Sequence, residues 1–233
     1  FFPSLSRLAA QSDDPALGET YRQGLRLILA ITLPAAAGLL VLGEPVVRML
    51  FAWGRFGEGD LAHTLPVLYV FALTIPLYSL ATYVTRAFHA RKDTRYPVRI
   101  AGVAFAVNTV ASLALMFTLE TLGLALANLL AIAVQSLLLT RGLGRKYPVF
   151  AHRGLGRSLL RLLVAGVTMA AGVWVGAMLL DLAELPAKES AFLKAGLLIP
   201  GGIILYGALL WLVRFEDRHE LKGLIGSLFT RSR

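Results

Sequence analysis

Apolar residues in this chain come in runs of about twenty, broken by short stretches that carry arginine, lysine, glycine or proline. Twenty residues of α-helix rise about 30 Å, the thickness of a bilayer's hydrocarbon core. Six such runs can be placed, at 25–47, 64–88, 97–118, 121–140, 157–180 and 191–213. They predict an all-α fold, a polytopic transmembrane bundle of six spanning helices. Ahead of the first run, Ser12-Asp13-Asp14-Pro15 offers a helix start, with acceptor side chains before a proline. Leu17, Tyr21 and Leu25 then follow at i, i+4 spacing, which predicts a short amphipathic helix lying at the interface and running into the first span. Residues 1–8 read as the end of an earlier helix.

This pattern divides the chain into five parts: 1–24 as the end of a preceding helix plus the interfacial helix, 25–141 as four spans, 142–156 as a basic loop, 157–214 as two further spans, and 215–233 as a tail. Pro34, Pro66 and Pro76 fall inside spans, where each removes a backbone hydrogen bond and tends to bend the helix. Membrane helices tolerate such prolines. The same bends also suit a helix that rocks or lines a cavity.

Composition agrees with the pattern. The chain is 57% hydrophobic and 16% charged, with a mean hydropathy of +0.68, against about 25% charged in a soluble domain. So much of its length lies in spans that no room is left for a soluble catalytic domain. The net charge of +9 would suit a nucleic-acid partner only on the basic face of a soluble fold. Here the charge follows the loops, so no nucleic acid is expected. The chain has no cysteine, which excludes disulfides, Cys-ligated zinc and thiol nucleophiles. It opens on Phe1, and no signal peptide pattern precedes the first run, so the sequence reads as starting inside a longer chain.

The basic residues also fix an orientation. Of the 23 lysines and arginines, nineteen fall in one set of alternate loops and four, Arg48, Arg55, Lys188 and Lys194, in the other. Lysine and arginine accumulate on the cytoplasmic side. Both ends of the chain are therefore expected in the cytoplasm, and the alternation supports a count of six.

No catalytic or metal constellation emerges. His63, His89, His152 and His219 are scattered, with no pair at i, i+4 spacing. The glycine pairs at Gly142 and Gly144 and at Gly154 and Gly156 lack the rest of a phosphate loop. No paired carboxylates share a helix face, so general acid–base chemistry has no players. The chain is read as a protein without enzymatic activity, cofactor or metal. Asn108, Ser112, Asn128, Gln135 and Ser136 are polar within the third and fourth spans. They suit helix-to-helix hydrogen bonds or a hydrated path. Gly172-x-x-x-Gly176 permits close helix approach. No Asp, Glu, Lys or Arg sits at the middle of a span, where an ion pathway would usually place one.

The loop from Arg86 to Arg99 is denser in charge than topology requires, with Arg86, Arg91, Lys92, Arg95 and Arg99 in fourteen positions. It is either a topological signal with headgroup attraction or a device that attracts an anionic substrate, since arginine forks match phosphate oxygens.

Several stretches, in order, resemble the MviN/MurJ lipid II flippases. They are Phe2-Pro-Ser-Leu-Ser-Arg7, Leu33-Pro-Ala-Ala-Ala-Gly38, Leu50-Phe-Ala-Trp-Gly-Arg-Phe56 and Arg86-Ala-Phe-His-Ala-Arg-Lys-Asp-Thr-Arg-Tyr-Pro-Val-Arg-Ile100. The last is the most specific, and the matches cover about the first half of the chain. The resemblance implies a fourteen-helix transporter of the multidrug/oligosaccharidyl-lipid/polysaccharide exporter superfamily in a bacterial inner membrane, with this chain holding helices nine to fourteen. It implies an undecaprenyl-pyrophosphate-linked peptidoglycan precursor as partner, together with membrane lipids and the missing N-terminal helices, and a groove for the lipid tail formed by the last two spans. The family's pyrophosphate-contacting arginines lie on helices one, two and eight, so none can be carried over to a residue here. A polysaccharide-lipid flippase, a cation-coupled drug exporter and a polyprenyl-linked glycosyltransferase remain as alternatives.

Overall fold

The structure, a computed structural model, describes residues 14–51, 56–150, 155–182 and 187–212. Every element among them is helical: α1 (Asp14–Phe51), α2 (Glu58–Ala90), α3 (Arg95–Lys146), a 3-10 turn (Pro148–Phe150), α4 (Leu155–Asp181) and α5 (Ala187–Leu212). All five α-helices are long and apolar enough to cross a membrane. The stretches at 2–7 and 52–55, His152, His219 and the tail lie outside the described residues.

The number of crossings exceeds the number of helices because α3 is folded back on itself. Its 52 residues would span about 78 Å if straight. Instead Glu120 leaves the helical region, with φ 48° and ψ −126°. Beyond it, Tyr96 Oη donates to the Leu138 carbonyl at 3.5 Å and Lys146 Nζ reaches Asp93 at 2.7 Å. These contacts join positions that a straight helix would hold tens of ångströms apart. Residues 95–119 and 121–146 are therefore antiparallel arms, and the described residues hold six segments long enough to cross a membrane. The two arms are parted by one residue, Glu120, rather than by a loop.

The left-handed backbone at Glu120 is strained for any side chain but glycine. Glu120→Gly is expected to stabilise the intact protein by about 1 kcal/mol, read as a later unfolding midpoint in a detergent titration. A destabilised variant would show that the glutamate side chain holds the hairpin tip.

Two packing units share α1. Its first half contributes Leu17, Tyr21 and Leu25 to a core with α2, α3 and Phe150 of the 3-10 turn. This is the stripe read from sequence as interfacial. It is buried against protein, and the helix runs unbroken into the span. Further along, Ala30 and Leu42 join Leu162, Ala165 and Met169 of α4 and Tyr206 and Leu210 of α5. The last two helices thus pack on each other and both on α1.

Glycine sets the spacing where α1 meets α2. A Cβ at Gly24 would stand 2.1 Å from Tyr83 Oη, whose hydroxyl donates to the Tyr21 carbonyl at 3.2 Å while its ring stacks on Tyr21. The outward faces are apolar, with Phe105, Phe117 and Ile204 each more than 70% exposed. In water such a surface would drive aggregation. In hydrocarbon it costs nothing, because lipid tails are as apolar as the side chains.

Candidate functional site

The two ends of the bundle differ in charge. At one end Arg48 grips both Glu58 oxygens, at 2.6 and 2.8 Å, and Glu44 at 2.8 Å, and Lys194 pairs with Asp181. At the other end meet the start of α1, the α2–α3 junction, the end of α3 and the 3-10 turn, and most of the described arginines and lysines lie there.

This basic end is built around the termination of α2. The Lys92 N–H donates to the His89 carbonyl at 2.9 Å and the Asp93 N–H to the Phe88 carbonyl at 3.0 Å, the paired bonds of a Schellman cap. Such a cap places its C′ residue in the left-handed region, and here that residue is Lys92, at φ 58°. The cap turns the chain so that Asp93 can serve three donors: the Tyr96 N–H at 3.2 Å, Lys146 Nζ at 2.7 Å and Tyr147 Oη at 3.4 Å. The Lys146 ammonium foremost, with the Tyr96 N–H, holds the Asp93 carboxyl below the usual carboxylate range. The carboxylate raises Lys146 in return. The pair is therefore ionised throughout the neutral range. Its contribution to stability is complete above the ordinary carboxylate pKa and disappears only as pH falls through the depressed value.

Arg91 is held in the same cluster. It pairs with Asp14, and its guanidinium lies 5.9 Å from the Tyr147 ring centroid and 5.8 Å from that of Phe150. Beneath it, buried Phe88 stacks on Tyr96 with centroids 5.0 Å apart and meets Tyr147 edge-on at 6.1 Å. The five basic residues read from the loop are thus divided by the fold. Arg91 faces an acid and two rings. Lys92, Arg95 and Arg99, spaced i, i+3, i+7, are exposed on the outside of the junction, and Arg86 is exposed one turn earlier on α2.

The polar residues of the spans are also separated. Asn108 is half-buried on the first arm of α3 and accepts from Ser112 Oγ at 3.4 Å. Asn128 is half-buried on the second arm. Gln135 turns toward α2 and lines a hollow of about 420 Å³ with Tyr78, Thr82, Thr85, Arg86 and His89. A second hollow of about 380 Å³ lies on the α1 side, bounded by Ile28, Thr32, Tyr78, Ser79, Thr82 and Arg86. The two flank the same stretch of α2 and share Tyr78, Thr82 and Arg86, a polar groove in two parts. Sequence reading missed this groove. Its signal was present, as polar side chains recurring along one face of the second span, but each is only a hydroxyl or an end-of-helix charge and is unremarkable alone. Gly172 and Gly176 face α5, where an added Cβ would meet Leu205 Cδ2 at 2.8 Å and Leu198 Cδ2 at 2.9 Å.

The arrangement can bind and guide anionic or hydroxyl-rich molecules. Among the described residues, no three His, Asp or Glu side chains come together as metal ligands would. Comparison with known proteins gives a consistent picture. The family model for the lipid II flippase MurJ matches residues 1–186. A probable lipid II flippase MurJ of Rhizobium meliloti (strain 1021) is 32% identical over 208 residues, which are 87% of this chain and 37% of that protein. One from Haemophilus influenzae is 30% identical over 151 residues, 65% of this chain and 29% of that protein. The lipid II flippase MurJ of Thermosipho africanus is 28% identical over 107 residues, 46% of this chain and 22% of that protein. The chain thus spans well under half the length of these relatives.

Proposed function

Since the chain belongs to the lipid II flippase MurJ family, we propose that it is the C-terminal part of a protein that moves a lipid-linked peptidoglycan precursor across a bacterial inner membrane, with the basic end of the bundle in the cytoplasm. Nothing is bonded or cleaved in such a step, so the work of this chain is to capture, guide and hold. In this reading α4 and α5 are the two added helices beside a four-crossing lobe.

The observation that carries the reading is the division of the basic loop. Arg91 and Lys146 neutralise Asp14 and Asp93, while Lys92, Arg95 and Arg99 stay exposed around the α2–α3 junction. A loop that served topology alone would not need three exposed cations within eight positions. Each cation near the surface contributes about 1 kcal/mol of attraction to anionic lipid. This supports capture of a pyrophosphate-bearing lipid at the cytoplasmic entrance.

The test is the pair Arg95→Gln and Arg99→Gln in the full-length protein, reconstituted in vesicles with the lipid-linked precursor. Losing about 2 kcal/mol of attraction should slow uptake by about tenfold or more at low salt. The deficit should shrink as salt rises to about 1 M, where the screening length is about 3 Å. Insertion is checked in the same variant with single cysteines at Gly156, on the basic end, and Ala62, on the opposite end, both exposed. In intact cells an impermeant thiol reagent should label only the second. A correctly inserted variant that transports at the parental rate in low salt would leave the arginines a topological signal. A parent protein that fails to move the precursor would overturn the function itself.

A further inference from the structure

Where α5 packs on α1 there is a polar group that the capture step does not use. Tyr206 of α5 is 8% exposed, and among the described residues its buried hydroxyl has no hydrogen-bond partner. A hydroxyl buried in this way forfeits the bonds it made to water, which disfavours any arrangement that leaves it unpaired. α1 carries the complementary defect. Pro34 lies inside that helix, has no N–H, and so leaves the Ala30 carbonyl without its helical donor. Ala30 is buried in the same cluster as Tyr206. The register of the helices sets the two side by side. Met169 of α4 reaches both Gly38 of α1 and Gly202 of α5, its Cε 3.9 Å from a Cβ built on the first and its Sδ 4.0 Å from one built on the second. α1 starts at the basic end and α5 at the opposite end, so one turn from these glycines toward the basic end stand Pro34 on α1 and Tyr206 on α5. A donor without an acceptor is thus level with the proline that frees an acceptor.

We propose that Tyr206 is a latch between α5 and α1, its hydroxyl donating to the Ala30 carbonyl in a second arrangement of the helices and released in the one described here. The proposal rests on the proposed function, because carrying a head group from one membrane face to the other needs at least two arrangements. It adds what bends and what holds. Up to Leu25, α1 feeds the core it shares with α2 and α3, and from Ala30 the core it shares with α4 and α5. Proline is where a helix bends, so a change of bend at Pro34 swings these two cores against each other. The turn that opens or closes is the one between Ala30 and Pro34, and with it the Ala30 carbonyl shifts relative to α5. A bond made in one arrangement and broken in the other biases the equilibrium toward the first. Packing by itself does not call for the hydroxyl. Phenylalanine would fill the same space among Leu162, Ala165 and Met169 without burying an oxygen.

The experiment places spin labels on Leu113→Cys of α3 and Ile203→Cys of α5, both exposed, in the full-length protein in lipid nanodiscs, and reads the distribution of distances between them. The parent should show two populated distances. Tyr206→Phe removes one oxygen and keeps the ring, and should deplete the distance that departs from the described structure by about fivefold, the population equivalent of one net hydrogen bond. Pro34→Ala returns an N–H to position 34, pairs the Ala30 carbonyl within its own helix, and so takes the acceptor away. It should deplete the same distance. In that background Tyr206→Phe should change the populations by less than about 1.5-fold, because the bond it removes is already gone. A single distance in the parent would overturn the latch. So would populations that Tyr206→Phe leaves unchanged or shifts the other way. An equal shift with and without Pro34→Ala would overturn the pairing with Ala30. If the parent transports the precursor and the populations do not respond, only the latch is wrong. If they respond as expected and the parent does not transport, only the proposed function is wrong.

Discussion

Replacing Phe88 with alanine is expected to destabilise the intact protein by about 3–5 kcal/mol, the range for removing a fully buried phenylalanine. The ring is wholly buried, and it is the surface on which three elements meet: Tyr96 from the start of α3, Tyr147 beyond its end, and α2 itself. Its position near the basic end matters for the magnitude. A side chain at mid-membrane would exchange protein for lipid with little hydrophobic penalty, whereas one under a charged cap exchanges protein for water. The loss should spread to Asp93, because Tyr96 and Tyr147, which both donate to this carboxylate, pack on the Phe88 ring. Phe88→Leu fills most of the space and forfeits chiefly the aromatic contacts, about 0.5–1.5 kcal/mol. The midpoint of unfolding in mixed dodecyl-sulfate micelles orders the three proteins. An alanine variant within 1 kcal/mol of the parent would show that the aromatic cluster is not what fastens the basic end.

The second large effect is expected at Gly123, three residues past the turn of α3. A Cβ there would lie 2.5 Å from the Leu115 carbonyl oxygen and 2.7 Å from its carbon. Both are backbone, so no rotamer change can relieve the clash, and the arms of the hairpin must part. Gly123→Val should therefore cost about 3 kcal/mol, the upper part of the usual range for overpacking. Gly172→Ala is the matched control. Its new methyl would meet only the flexible end of Leu205, at 2.8 Å, and should cost less than about 1 kcal/mol. Thermal unfolding in detergent separates the two, and equal midpoints would mean that the arms are not in the close contact on which the sixth crossing depends.

These predictions mark where sequence reading succeeded and where it could not reach. Helical class, membrane residence and the position of each crossing were legible because a bilayer imposes its constraint residue by residue. A span must be long and apolar whatever it packs against. The turn at Glu120 was legible in the same way, as the boundary between two runs, although nothing in its local sequence announced a left-handed residue in place of a loop. The resemblance to a flippase family was legible in the Arg86–Ile100 stretch, and the comparisons place the chain in that family.

The roles within that stretch were not legible, because charge along a chain does not say which charges find partners. Arg91 and Arg95 are equivalent as letters. They part company only because Asp14, 77 residues from Arg91 in sequence, and the rings of Tyr147 and Phe150 arrive beside one and not the other. The amphipathic start of α1 shows the same limit. Its stripe of Leu17, Tyr21 and Leu25 specifies that one face must leave water, and both a membrane surface and a protein core satisfy that demand. The core wins because Gly24 lets Tyr83 come close enough to donate to the Tyr21 carbonyl. The groove on α2 was hidden for the complementary reason. Hydroxyls in a membrane helix can bond back to their own backbone, as Thr32 does to the Ile28 carbonyl, so each alone asks for nothing. Only the placing of α1 and the second arm of α3 on either side gathers four hydroxyl-bearing positions of α2 with Arg86 and His89 into one lining. The sequence by itself thus determined which segments must cross the membrane and which end carries the charge, since these follow from transfer of single residues between water and lipid. The tertiary structure alone decided which polar groups are brought together and with which partners, since pairing depends on distances between residues far apart in the chain.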